Sequence, residues 1–268
     1  MDLEAKEYKW DAQDYSKNSE AQRNWAMELI NQLQLKGNES VLDIGCGDGR
    51  ITSEIARIVT RGNVIGIDSS EEMINLASNK YPPSQHSNLY FELIDAQKIP
   101  YVNQFDVIFS NAALHWVKDH NKVMHGITTA LKTNGRILLQ MGGKGNASDI
   151  LTFFDDLMNE DKWNKYFAEF NFTYSFLDIT DYESLLHQYN LTANQIELIP
   201  KDMKQIGKEG LDGWIRTTWL PYLEKIPEEL KEQFISEIVE RYIEKFPLDE
   251  AGFAHDRMMR LQVSAIKK

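Results

Sequence analysis

The segment Val41-Leu42-Asp43-Ile44-Gly45-Cys46-Gly47-Asp48-Gly49-Arg50 constrains the fold of this chain most, because a strand-type run enters three glycines at alternate positions and leaves into a helical pattern. Glycine is required where a strand turns sharply into a helix and a ligand must touch bare backbone. A Cβ would block both the positive-φ conformations and the close approach. Such a loop serves a nucleotide-type ligand. A dinucleotide site carries Gly-x-Gly-x-x-Gly and offers a helix N-terminus to a pyrophosphate. Here the spacing is Gly-x-Gly-x-Gly, and Asp43 stands two residues before the first glycine. A carboxylate at that point repels a phosphate.

The same carboxylate suits a ligand with an ammonium group and a ribose but no phosphate, a description that S-adenosylmethionine meets. Beyond the loop, Ile51, Ile55, Ile58 and Val59 fall at helical spacing, and Gly62-Asn63 leads into a second strand, Val64-Ile65-Gly66-Ile67, ending in Asp68. An acid about 20 residues past the glycine loop, at the end of the second strand, is where ribose hydroxyls are held. Asp68 can also cap the helix that Ser69, Ser70, Glu71 and Glu72 open in the manner of a capping box. The two roles are compatible.

Periodicity predicts helices over 20–34, 49–59, 70–80 and 119–132, and strands over 40–44, 63–67, 89–94, 104–110 and 135–141. Alternation of strand and helix implies an α/β fold, a doubly wound and mostly parallel sheet with helices on both faces. Ligands of such sheets bind beyond the C-terminal strand ends, where Gly45, Asp68, Asp95 and Asn111 all fall. From Gly142 the pattern changes: a loop through Asn146, an aromatic-rich helical stretch over 148–170, a helical region over 211–246, and strand-like segments only near 196–205 and 259–266.

At this point the residues resemble a known superfamily, the class I S-adenosylmethionine-dependent methyltransferases. Asp43-x-Gly45-x-Gly47-x-Gly49 is similar to its first motif, and Gly66-Ile67-Asp68-Ser69-Ser70-x-x-Met73 to its ribose site. Phe91-x-x-x-Asp95-Ala96 resembles the third-strand end, whose acid contacts the adenine amino group, and Phe105-Asp106-Val107-Ile108-Phe109-Ser110-Asn111 resembles the fourth strand. The match spans roughly residues 38–142. It implies a Rossmann-like seven-stranded sheet completed by an antiparallel edge, with S-adenosylmethionine as cofactor and S-adenosylhomocysteine as product. The cofactor residues it implies are Tyr15, Asp43, Gly45, Cys46, Gly47, Asp68, Ser69, Met73, Asp95, Ala96, Asn111, Ala112 and Leu114.

Length and charge narrow the organisation and the partners. With 268 residues, 42% of them hydrophobic, the chain suits one domain: a cofactor-binding core at about 36–142, an N-terminal helical cap at 1–35, and helical lid insertions at about 148–172 and 207–248. A formal net charge of −12 argues against binding along a phosphate backbone, so no nucleic-acid partner is expected. No apolar run reaches the length of a membrane span and the N-terminus has no hydrophobic signal core, which predicts a cytoplasmic protein with no membrane partner. The single cysteine, Cys46, has no internal disulfide partner, and no His/Cys/Asp cluster has metal-ligand spacing, so no metal is expected. The sequence leaves the oligomeric state open.

Substrate information lies outside the cofactor motifs. Tyr15-x-Lys17-x-x-x-x-Gln22-Arg23 together with Leu114-His115-Trp116 resembles the juvenile-hormone-acid methyltransferases. In that group, as in the plant salicylate-type enzymes, a glutamine and a tryptophan hold the substrate carboxylate. By motif position those roles fall on Gln22 and Trp116. An indole N–H is a donor only and a glutamine amide supplies further donors. The whole chain, including Trp214-Ile215-x-Thr217-x-x-Leu220-Pro221-Tyr222-Leu223, also resembles trans-aconitate methyltransferases. Those enzymes place an arginine where this chain has Leu220, and Arg216, one helical turn away, is the expected substitute. Trp214, Trp219 and Tyr222 suit a water-excluding lid, whereas Leu230, Phe234, Ile238, Tyr242 and Phe246 form a core-type stripe at i, i+4 spacing.

The expected reaction is in-line transfer of a methyl group to a small carboxylic acid, giving its methyl ester, with binding roles for Gln22, His115, Trp116, Trp214, Arg216 and Trp219. A carboxylate is already ionised at neutral pH and needs no general base. Two other readings remain: a carbon, nitrogen or phenolic methyltransferase using His115, or less readily His120, as base, and a non-catalytic module that binds S-adenosylmethionine.

Overall fold

The computed structural model describes residues 20–268, with side chains from Trp25 onward. Tyr15 and the side chain of Gln22 therefore lie outside the described residues. Helix α1 (Glu20–Gln32) buries Trp25, Ala26, Leu29 and Ile30. Strand β1 (Ser40–Ile44), helix α2 (Arg50–Ile58), β2 (Asn63–Asp68), α3 (Glu71–Lys80) and β3 (Leu89–Leu93) follow, then β4 (Phe105–Asn111), α4 (His120–Ala130) and β5 (Leu131–Gly142). The central strands read as nearly unbroken apolar runs because helices cover both faces: Val41, Leu42, Ile44, Val107, Ile108 and Phe109 are all buried.

Seven strands form one sheet in the order β3-β2-β1-β4-β5-β7-β6. Strands β1 to β5 run parallel, and β7 (Phe253–Lys267) lies antiparallel between β5 and β6 (Leu191–Ile206). The chain runs outward from β1 to β3 and returns to lay β4 on the other side of β1. That reversal opens a crevice at the C-terminal ends of β1 and β4. The predicted alternation fails once, since only a 3-10 turn (Ala96–Lys98) joins β3 to β4.

The C-terminal half departs further from the periodicity reading. The helical stretch over 148–170 divides into α5 (Ser148–Met158) and α6 (Asn164–Phe167). An unpredicted helix, α7 (Ile179–Gln188), starts at a capping box in which Asp178 and Asp181 serve each other's backbone. The region over 211–246 is three helices, α8 (Gly207–Thr218), α9 (Leu220–Leu223) and α10 (Glu228–Lys245). Pro221 opens α9 and Pro227 caps α10, and neither can donate the N–H that a continuous helix requires. Strands β6 and β7 are longer than predicted, because their outer parts pair with each other beyond the reach of β5. The ladder, rather than an apolar pattern, holds polar segments such as His255-Asp256-Arg257 in a strand.

That protruding ribbon carries α5, α6 and α8 to α10. They bury a common aromatic core of Phe154, Trp163, Trp214, Trp219, Tyr222, Phe234 and Tyr242. Among the described residues no helix is long and apolar enough to cross a membrane.

Candidate functional site

The glycine loop lies over the end of β1, where Gly45 and Cys46 both donate to the Ile67 carbonyl at 2.8 and 3.0 Å. Gly45 has φ +75°, and a Cβ there would stand 2.1 Å from the Ala113 Cβ. Gly47, at φ +54°, has no atom within 4 Å of where its Cβ would be. The loop is thus tight against the segment that follows β4 on one side and presents bare backbone to open space on the other. Cys46 is buried beneath it, with Cβ and Sγ at 2.8 and 3.0 Å from where a Cβ on Gly66 would fall. Burial pushes its thiol well up, so the thiol stays protonated and fills space under the loop.

Asp68 clasps two loops at the end of β2. Its Oδ2 accepts from Gly47 N at 3.0 Å and its Oδ1 from Ser70 N at 2.9 Å. Burial raises its pKa against those backbone bonds. The N-cap of α3 is Ser70, whose hydroxyl accepts from Met73 N, rather than Asp68 itself. Asp43 is only 2% exposed and accepts from the Thr52 hydroxyl at 2.7 Å. Burial, opposed by that bond and reinforced by the nearby Asp68 charge, pushes it up to about 7. It therefore sits beneath the loop as a support of the α2 start. Asp95 caps the turn after β3 through Gln97 N, with Ala96 next to it. Asn111 ends β4, Ala112 follows at φ +55°, and Leu114 is buried. Asp43, Gly45, Gly47, Asp68, Asp95, Asn111 and Ala112 thus gather along the C-terminal edge of β1 to β4.

A small cleft, partly open to solvent, adjoins this edge and is lined by Ala112, His115, Trp116, Asn146, Tyr174, Phe176, Thr218, Trp219, Met258 and Arg260. Its polar lining has an unusual bias. The Asn146 side-chain carbonyl accepts from Met259 N at 3.1 Å, leaving the amide NH₂ as donor. His115 Nδ1 accepts from Gly142 N at 3.3 Å, which places the ring proton on Nε2. The Tyr174 hydroxyl donates to the Thr218 carbonyl at 2.6 Å. Trp219, 1% exposed, has its indole N–H buried without a partner among the described residues. Arg260, 4% exposed, lies with its guanidinium 5.0 Å from the centre of the Trp25 ring. At Asn146 and His115 the acceptor is thus committed to backbone and a donor remains, whereas the Tyr174 hydroxyl has spent its donor on Thr218.

His115 is buried, and burial together with the Arg260 charge lowers its pKa to about 3. A group so acidic is neutral at physiological pH and too weak a base to deprotonate a phenol or amine. His120 is also buried; it bonds the Tyr182 hydroxyl through Nδ1 at 2.9 Å and is held down to about 4 by burial. It does not line the cleft.

Two expected substrate residues lie elsewhere. Arg216 is 50% exposed on α8 and pairs with Asp212 at 2.5 Å on the same helix, so it does not replace the missing arginine in the cleft. An i, i+4 pair faces outward because α8 turns its apolar side, with Leu211, Trp214 and Ile215, to the aromatic core. Trp214 is part of that core and packs edge-on to Trp219 at 5.9 Å rather than lining the cleft. Trp116, Trp219 and His115 are brought together with Arg260, Asn146, Tyr174 and Phe176, none of which the motifs marked. Arg260 had one available signal, a cation set between the apolar Met258-Met259 and Leu261. Among the described residues no group of His, Cys, Asp or Glu is placed to hold a metal ion.

The fold agrees with comparison to known proteins. Residues 35–196 match the family described as "Methyltransferase domain", and the chain belongs to that family. It is an S-adenosylmethionine-dependent methyltransferase. The chain is 25% identical to the trans-aconitate 2-methyltransferase of Escherichia coli O7:K1 over 85% of its length and 86% of that protein. It is 24% identical to the juvenile hormone acid O-methyltransferase of Drosophila melanogaster over 78% of its length and 72% of that protein. The phosphoethanolamine N-methyltransferase 2 of Haemonchus contortus, solved with phosphomonomethylethanolamine and S-adenosylhomocysteine, shares the fold with a TM-score of 0.62 at 19% identity, over 96% of this chain and 56% of that one.

Proposed function

We propose that this enzyme methylates a small carboxylic acid to its methyl ester, in the cleft between the glycine-loop edge and the aromatic helices, which act as a lid. The observation that carries the reading is the lining: a buried cation, several hydrogen-bond donors, no carboxylate and no effective base among the described residues. An acceptor that enters already ionised suits such a site; one that must first lose a proton does not. The names of the two relatives, both acting on acids, support the same class.

Asp43, Gly45, Cys46, Gly47, Asp68, Ser69, Met73, Asp95, Ala96, Asn111, Ala112 and Leu114 are the described residues that would hold the cofactor. Bare backbone at Gly47 and the Asp68 carboxylate fit an adenosyl ribose, and the Asp43 carboxylate beneath the loop suits a ligand without phosphate. Bound S-adenosylmethionine supplies a methyl group made electrophilic by the sulfonium. The protein supplies position and dryness. Arg260, the Asn146 amide and His115 Nε2–H would fix the acceptor carboxylate, with Trp116 and, by motif, Gln22 adding donors. Aromatic walls exclude water. Orientation of this kind contributes on the order of 7–11 kcal/mol to lowering a barrier.

The direct test is transfer of a labelled methyl from S-adenosylmethionine to a panel of carboxylic acids, scored by release of methanol in mild alkali. Base-labile label supports the ester; label that survives alkali overturns it in favour of carbon, nitrogen or ether-oxygen methylation.

A further inference from the structure

The cleft carries finer information about its acid, and the inference drawn from it rests on the carboxylate reading above. We infer that the enzyme selects an acid with one carboxylate and an apolar body, Arg260 receiving the carboxylate and the Trp116, Tyr174, Phe176, Trp219 and Met258 walls receiving the rest.

Charge comes first. Of the described residues that line the cleft, Arg260 is the one cation. His115 cannot add a second charge, because a protonated ring would lie buried beside the Arg260 guanidinium, and Gly142 N already donates to its Nδ1. Arg216, the residue the motif offered as a further counter-ion, faces outward on α8. A second or third carboxylate on the substrate would lose its water against aromatic rings with no further cation among the described lining residues to meet it, and burying an unpaired charge is strongly unfavourable.

The walls make the complementary case. Trp116 and Tyr174 stand with ring centres 4.6 Å apart, Tyr174 is stacked with Phe176 at 5.6 Å and edge-on to Trp219 at 5.3 Å. The strap bearing Tyr174 and Phe176 is pinned at both sides of the cleft: Ser175 N donates to the His115 carbonyl at 2.8 Å and the Tyr174 hydroxyl to the Thr218 carbonyl at 2.6 Å. A row of rings held in this way offers dispersion and apolar burial to a carbon skeleton and few acceptors or donors along its length. Arg260 is placed for this task by strand pairing. It pairs with Gly142 on β5 and Ile199 on β6, where the sheet ends and the ribbon begins.

Isothermal titration of the full chain saturated with S-adenosylhomocysteine tests the inference, with butyrate, hexanoate, octanoate, glutarate and trans-aconitate as probes. Affinity is expected to rise from butyrate to octanoate, up to about fourfold per methylene buried, and hexanoate is expected to bind at least tenfold tighter than glutarate or trans-aconitate. Arg260→Gln should weaken octanoate at least tenfold and Arg260→Lys less, while the affinity for S-adenosylhomocysteine, which reports an intact fold, is unchanged. Tighter binding of trans-aconitate than of hexanoate, or octanoate binding indifferent to Arg260→Gln, overturns the inference. If polyacids win and their label in the transfer assay is base-labile, the ester reading stands and only this selectivity falls. Base-stable label on a non-acid acceptor removes both.

Discussion

Around Gly45 the protein is held by backbone against backbone; around Trp219 it is held by ring against ring. Trp219 lines the cleft and the loop edge adjoins it, yet the two regions tolerate change differently. The loop edge leaves no room for a side chain where Gly45 meets Ala113. The cap spreads its packing over many tilted and edge-on aromatic contacts, with Phe154 lying 4.4 Å from Tyr222, 5.7 Å from Trp219 and 6.0 Å from Phe234. Backbone placement suits an invariant ligand, whereas a pocket walled by side chains can be recut for different acceptors without disturbing the strand ends. That division gives one fold many substrates.

The sharpest way to break this contrast is Gly45→Ala. The added methyl meets Ala113 and the φ of +75° is unfavourable for alanine. Affinity for S-adenosylhomocysteine is expected to fall at least a hundredfold by calorimetry; retention within threefold would show that the loop is not limited by backbone contact. Phe154→Ala should act on the other region. Truncating a fully buried ring costs about 3–5 kcal/mol, so urea unfolding should show a loss of that order while cofactor affinity stays within about threefold. A larger loss of cofactor binding would mean that the two regions are coupled.

A pH dependence sharpens the contrast further. Asp256 is buried in the cap, where Tyr242 OH and Ile150 N donate to one oxygen and the other lacks a partner among the described residues. Burial, against the Tyr242 bond, pushes it up to about 7 from an ordinary 3.8. The folded state therefore holds this proton more tightly than the unfolded chain does. Its relative contribution to stability is greatest below pH 4, is lost progressively as pH rises toward 7, and is constant above that. The loss amounts to at most about 4 kcal/mol. Asp43, also raised to about 7, acts in the same direction beneath the glycine loop. Thermal melts across this window should show Asp256→Asn removing part of the slope and leaving the Asp43 part; an unchanged slope would remove Asp256 from the account.

The smallest effect is expected at the cap surface. Arg241 and Glu160 pair at 2.5 Å between α10 and the end of α5, with both side chains over a third exposed. Arg241→Gln should cost about 0–1 kcal/mol, since exposed pairs are screened by solvent. A greater loss in urea unfolding would show that ions as well as rings hold the cap together.

Legibility in the sequence followed the same boundary. The glycine loop, Asp68, Asp95 and the order of the first five strands could be read because each is a local pattern: a turn that needs glycine, an acid at a strand end, a run of apolar residues. The cap was harder. Pro221 and Pro227 mark helix breaks that a continuous apolar stripe conceals, and the α7 capping box used Asp181 where glutamate or glutamine is the familiar signal. The outer parts of β6 and β7 are polar, so no alternation announces them.

The sequence by itself determined that this chain builds a doubly wound sheet with a glycine loop at the end of its first strand, because those features depend on residues close in the chain and on backbone conformations that few residue types adopt. Only the tertiary structure decided which side chains line the cleft. Arg260 reaches the cleft because β7 inserts between β5 and β6; Arg216 is turned away because α8 commits its apolar face to the aromatic core; His115 becomes a neutral donor because Gly142 N and the neighbouring guanidinium fix its proton. Long-range pairing and burial set each of these, and neither leaves a period or a motif in the chain.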